Sequence, residues 1–156
     1  MEESARHIAL LAPVPLAHLL DGRDVCQREG RVAFGSRAWE VFRKLDAERL
    51  SSAVDVYIYA SHQTGRGHET SWSARYVGHC DSVGGAHPAG MRYRPPSTGM
   101  SPSDNEGHWA IFWEVEDLQE VGAEGRHALR SFTPFGKRRP YGRQFVPEGP
   151  LLVEHP

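Results

Sequence analysis

Two periods of apolar and polar positions run along this chain, and the switches between them mark out its elements. HIALLAP, beginning at His7, reads as an opening strand. PLAHLLDG, beginning at Pro15, reads as a short helix ended by Gly22, where an achiral residue closes the last turn. RVAFG, from Arg31, predicts a second strand. In RAWEVFRKLDAERL, Ala38, Trp39, Phe42, Leu45 and Leu50 recur near helical spacing while Arg37, Glu40, Arg43 and Lys44 fall on the wet side. A second helix, capped by Ser36, therefore lays a buried stripe that includes Trp39 against a sheet.

VDVYIYAS, from Val54 to Ser61, is the strongest strand signal, because valine, isoleucine and tyrosine suit a pleated surface. Its predicted partner is SARYVGHC, joined to it by the polar connector HQTGRGHETSW. Glycine, proline and serine then crowd the stretch from Asp81 to Asn105 without a sustained period, which predicts a long loop that covers or forms a site. Strand character returns from His108 to Val115, followed by a turn through the acidic EDLQE. A short element from Ala128 to Phe132 and a final strand centred on Leu151 to Val153 complete the order β, α, β, α, β, β, loop, β, β. That order predicts one mixed α+β domain over residues 1–156, its small mixed sheet curled toward a barrel with helices outside.

Composition narrows the setting. The chain has 156 residues and a formal charge of -2, so any attraction to nucleic acid has to come from a local field. No run approaches the roughly 18 to 20 apolar residues of a membrane span, and MEESARHIALLAPVP is unlike a secretory signal, which predicts a cytoplasmic protein without membrane contact. Cys26 and Cys80 form neither a disulfide framework nor a CxxC knuckle and read as reduced structural thiols. Sixteen of the eighteen cations are arginine, a bias that genomic composition explains as readily as selection for bidentate contacts.

HIALLAPVPLAHLLDG, the YIYAS and YVG strands, HWAIFWEVEDLQEV and the terminal RQFVPEGPLLV follow one another in an order that resembles the PUA-like superfamily, especially its EVE and ASCH branches. The resemblance implies a curled mixed barrel that recognises RNA or modified bases. Its groove would lie between the end of YIYAS, the loop after YVG and the C-terminal basic segment. The ASCH branch also includes nucleases and hydrolases of acylated cytidine, with a stretch near GKKTxExR after the first helix. This chain has GRDVCQRE from Gly22, where Arg23 stays protonated and Gln27 replaces a carboxylate. That departure favours binding over catalysis.

The candidate site residues follow from chemistry that suits a base and its phosphates. Among the four tryptophans, Trp72 and Trp113 are candidates to stack on a planar ligand while Ser61 and His62 meet its polar edge, with core packing the competing duty for each indole. Ser36 and Arg37, in FGSRAW, present a helix N-terminus suited to an oxyanion, or else a simple cap. Arg92 and Arg94 flank Tyr93, and alternation would put both guanidiniums on one side as phosphate contacts or as exposed loop charges. Lys137, Arg138, Arg139 and Tyr141, with Arg143, form the densest positive run, opposed by the acidic strip from Glu114 to Glu124.

Other chemistry finds less support. His62, His68, His79, Cys80 and His87 suit zinc by type, but adjacent strand residues point to opposite faces and the gaps match no compact ligand pattern, so no metal is expected. GxSxG, P-loop, Rossmann and HExxH patterns are absent, so no cofactor is expected either. The leading expectation is a module that binds modified or unmodified DNA or RNA. A hydrolase or nuclease using the same groove, and a protein-interaction domain contacting through its long loop, are the alternatives.

Overall fold

The computed structural model describes residues 7–61 and 68–156. Strand β1 (Ile8–Pro15) leads directly into helix α1 (Leu16–Glu29), strand β2 (Val32–Ser36) and helix α2 (Trp39–Arg49). Strands β3 (Val54–Ser61), β4 (Trp72–Asp81), β5 (Ile111–Glu120) and β6 (Leu151–Glu154) follow, and the long loop separates β4 from β5.

All six strands form one sheet in the order β2-β5-β4-β3-β1-β6. β1 pairs with β3 in parallel, as the intervening crossover through α1 and α2 requires, and every other ladder is antiparallel. The mixed α+β class is present, but the sheet is open and uncurled, which overturns the expected PUA-like barrel. Each edge strand finds its partners in irregular chain. On β2, the Ala33 N–H donates to the Tyr93 carbonyl and the Ala33 carbonyl accepts from Arg94 Nη1. On β6, Phe135 N–H donates to Leu152 O and Glu154 N–H to Thr133 O. With both edges covered this way, no strand is left to close a barrel.

The main core lies on one face. Ile8, Leu10, Ala12 and Val14 of β1 point there with Val54, Val56 and Ile58 of β3, against Leu19 and Val25 of α1 and Phe42 and Leu45 of α2. The opposite face holds a smaller cluster in which Ala9, Leu11 and Val153 lie under Leu129 and Phe132 from the C-terminal region. The period-2 pattern of β1 and β3 thus decides which side chains meet which layer.

Four boundaries depart from expectation. Helix α1 does not stop at Gly22 but runs to Glu29 and ends at Gly30, in the left-handed region with φ of 85°. Gly22 is buried, and a Cβ there would meet Leu118 Cδ2 at 3.3 Å, so glycine serves close approach of the helix to the sheet. Helix α2 begins at Trp39, and Ser36 Oγ accepts from Ala38 N–H at 3.0 Å ahead of the first turn. Strand β5 starts at Ile111 and continues through EDLQE, absorbing a bulge at Asp117, whose φ is 53°. The region from Ala128 to Phe132 contains a single 3₁₀ turn, Leu129–Ser131.

Candidate functional site: an aromatic cavity between β1 and β2

A cavity of about 600 Å³, within the size range of small-molecule sites, is lined by residues from the C-terminal ends of β1 and β2, with the long loop and the segment before β6 filling the space between these strands, which are not neighbours in the sheet. Pro13–Pro15 and the first turn of α1 form one wall, the β2 end from Phe34 through Ala38 another, and the long loop with the start of β5 the third. Glu148, Gly149 and Pro150 border it from the segment before β6.

Its aromatic lining comes from Phe34, His108, Trp109 and Trp113. Trp113 is held by the core, with its ring 5.1 Å from Phe34 and stacked at 5.8 Å and 19° on Phe42. Trp109 lies across Gly35, and a Cβ on that residue would overlap the indole. The backbone around Trp109 is fixed as well: Ser82 Oγ–H donates to its carbonyl at 2.7 Å, and Ala110 N–H donates to Ser36 O at 3.0 Å. The indole Nε1–H of Trp109 is buried and has no hydrogen-bond partner among the described residues. This edge of the indole packs on Gly35, and an unpaired buried donor costs roughly 1–3 kcal/mol, which is recovered only where the ring turns to offer its N–H to an acceptor.

The polar groups converge on the same space. Arg37 is exposed at the mouth, and His18, Asp104 and Glu148 also line the recess. Arg94 is only 2% exposed; it donates from Nη1 to Ala33 O at 2.8 Å, from Nη2 to Asp104 O at 2.8 Å and from Nε to Asn105 Oδ1 at 3.0 Å. Burial pushes its guanidinium down to about 10, partly opposed by the Asp104 carboxylate. Arg94 thus ties the loop wall to β2. His18 Nδ1 meets Ser97 Oγ at 2.7 Å and its Nε2 lies 3.8 Å from Asp104 Oδ2, but Ser97 is not part of the lining. This trio joins α1 to the loop and does not point a nucleophile into the cavity.

Of the residues proposed from sequence, Ser36, Arg37, Arg94 and Trp113 come together here. Trp72 does not. It is 1% exposed, on a central strand between β3 and β5 with Arg23 packed 5.3 Å over its ring. Arg92 and Arg94 do not share a face either: Arg92 is exposed and bonds Glu29 at 2.8 Å, lowering that carboxyl below its usual range. Ser61 ends β3 paired with Pro15, outside the lining, and His62 lies outside the described residues.

Lys137, Arg138 and Arg139 are exposed and line no wall of the cavity, while Tyr141 stacks on Phe145 at 3.7 Å. The expected convergence of the tail's cations around the recess is therefore absent. The acidic strip does not neutralise them: Glu114 faces Arg31 and His87, and none of Lys137, Arg138, Arg139 and Arg143 forms an ion pair with a described residue. Sequence reasoning missed Phe34, His18, His108 and Glu148 as lining, and Trp109 as the wall opposite Gly35. The HW pair directly before an alternating strand was the available signal.

One metal-like grouping occurs among the described residues: Cys80, His87 and Glu114 have ligand atoms within 4.8 Å of one another. Ala89 N–H donates to His87 Nδ1 at 3.0 Å, so the neutral ring carries its hydrogen on Nε2 and donates it to Glu114 Oε2 at 2.9 Å. Both ring nitrogens are committed, leaving no lone pair for an ion. Burial, with Glu114 and Asp81, pushes the Cys80 thiol up, opposite to an activated nucleophile. A second recess, about 620 Å³, lies beside the C-terminal half of α1 and contains none of the proposed site residues.

No family model, curated protein or solved structure matches this chain. No helix among the described residues is long and apolar enough to cross a membrane.

Proposed function

We propose that the protein binds nucleic acid by taking a single exposed or modified base into the cavity between β1 and β2. The observation that carries this reading is the half-buried Trp109 indole, which lines the recess with His108 and Arg37 and whose N–H has no partner among the described residues, so that a turn of the ring off Gly35 gives it to a ligand. Trp113 and Phe34, 2% and 4% exposed, form the floor, while the exposed His108 ring and the half-buried Trp109 offer a face to a planar ring, and a small number of polar groups then select its edge. Glu148 and the backbone at the β2 end supply acceptors, the indole N–H a donor, and Arg37 a charge at the mouth where a phosphate would emerge.

Binding is favoured over turnover because the lining lacks a nucleophile paired with a base. Ser36, its one hydroxyl side chain, is buried and already accepts from Ala38 N–H. A cytoplasmic setting belongs to the same reading and accords with the free thiols of Cys26 and Cys80.

The test is equilibrium binding of nucleosides and short single strands, DNA and RNA, with modified and unmodified bases, to wild type and Trp109→Ala. Saturable binding that prefers some bases and weakens at least tenfold in Trp109→Ala is expected. Folded wild-type protein that binds nothing in the panel would overturn the proposal.

A further inference from the structure

Outside the cavity, one exposed surface combines an unburied aromatic ring with cations that have no acidic partner among the described residues. Trp39, the first residue of α2, is 49% exposed, and Arg43 lies one turn on with its guanidinium 5.8 Å from the indole centroid. Lys44 is exposed beside it and reaches 5.6 Å from the Phe135 ring, which brings the tail turn against the helix. Lys137, Arg138 and Arg139 follow Phe135 directly, and Arg37 stands two residues before Trp39 at the cavity mouth.

None of Arg37, Arg43, Lys44, Lys137, Arg138 and Arg139 forms an ion pair with a described residue. The acids of α2 do not change this balance. Asp46 is held by Arg49, Tyr76 and His79, and Glu48 lies 3.8 Å from His7, leaving Glu40 as the one acid among these exposed cations on the helix. In a chain of net charge -2, six exposed cations are thus gathered on the start of α2 and on the tail turn that meets it where Lys44 lies over Phe135.

We propose that α2 and the turn after Phe135 form a track for single-stranded nucleic acid leading away from the cavity. Trp39 is the platform for a neighbouring base, and Arg43, Lys44, Lys137, Arg138 and Arg139 pair with successive phosphates. This rests on the base-binding reading of the cavity and supplies what that reading lacks, a use for tail cations that do not reach the recess. From Trp39 to Lys44 the helix rises about 8 Å, at 1.5 Å per residue, so α2 meets only a short length of strand and the tail cations extend the track. A single strand fits better than a duplex, because an accessible indole face is useful only to a base that has left its stack.

The experiment compares wild type, Trp39→Ala, the double variant Arg43→Ala/Lys44→Ala and the triple variant Lys137→Ala/Arg138→Ala/Arg139→Ala. Each is titrated with a free nucleoside that wild type binds and with a single-stranded oligonucleotide of about ten nucleotides containing that base, at several salt concentrations. All variants are expected to keep nucleoside affinity and to lose about tenfold in oligonucleotide affinity. The slope of log affinity against log salt should become shallower by about 1.4 in the double variant and about 2 in the triple, at roughly 0.7 per phosphate contact, and stay unchanged in Trp39→Ala.

Unchanged oligonucleotide affinity and slopes, with nucleoside binding intact, would overturn the track and leave the cavity reading standing. Wild type that binds neither nucleoside nor oligonucleotide would remove the cavity reading, and the track with it. Binding to phosphatidylserine vesicles in place of oligonucleotides, lost in the same variants, would overturn the track in favour of a lipid surface.

Discussion

At Gly35 the absence of one methyl group makes room for the wall of the site. The indole of Trp109 rests on the glycine, and any Cβ would displace it, although Gly35 sits in a regular strand whose backbone accepts alanine. Gly35→Ala is therefore expected to leave the fold standing while shifting Trp109 and weakening nucleoside binding by at least tenfold. Near-UV circular dichroism and titration check the two halves of that prediction. The tryptophans also show how far single residues could be read. Trp72 sits in phase with Ala74 and Tyr76 on β4, so strand parity indicated burial once the strand's central place was known. Trp39 fell on the apolar helical period, yet it begins α2, where side chains lean past the N-terminal end and off the core. Trp109 depended on its partner Gly35, 74 positions away, which no local pattern links to it.

Elements are held in place by a few buried polar knots. Arg94 joins β2 to the loop through Ala33, Asp104 and Asn105, and Arg94→Met would leave those acceptors without their donor. A loss of about 3 kcal/mol in denaturant unfolding is expected, together with weaker ligand binding because the loop wall is released. A second knot fixes α2 to β4, where Tyr76 O–H donates to Asp46 Oδ1 at 2.9 Å and Arg49 Nε–H donates to the same oxygen at 2.6 Å. Burial, reinforced by Asp46, raises the Tyr76 phenol well above its ordinary value near 10.

A raised acid of this kind contributes stability that is whole below pH 10, the unfolded value, and is lost as pH climbs toward the folded value. Stability should therefore fall above pH 10, with Tyr76 contributing at most about 1.4 kcal/mol per pH unit. In Tyr76→Phe the decline should be shallower by that amount, as chemical denaturation at stepped pH would show. β3 was legible at this scale because a β-branched, alternating run has few competitors, and β1 and β6 because short apolar runs bounded by proline or polar residues suit a buried strand. The true end of α1 was not, because a glycine that stops a helix and one that lets it approach a sheet look alike in sequence.

Across the whole molecule, closure of the sheet was the feature that local patterns did not contain. The element order suits either a barrel or an open sheet, and what decides is the partners taken by the edge strands. Tyr93 and Arg94 cover β2, and Thr133 and Phe135 cover β6. The same covering segments build function into the open sheet: the loop that caps β2 walls the cavity, and the turn that follows the cap on β6 carries Lys137, Arg138 and Arg139. The central claim, that a base enters beside Trp109, is tested most directly by following the indole Nε1–H resonance of Trp109 in a ¹H–¹⁵N spectrum during nucleoside titration. The account predicts a saturating downfield shift as that N–H gains an acceptor, at the affinity measured by other means. Saturable binding with the Trp109 resonance unmoved would contradict it.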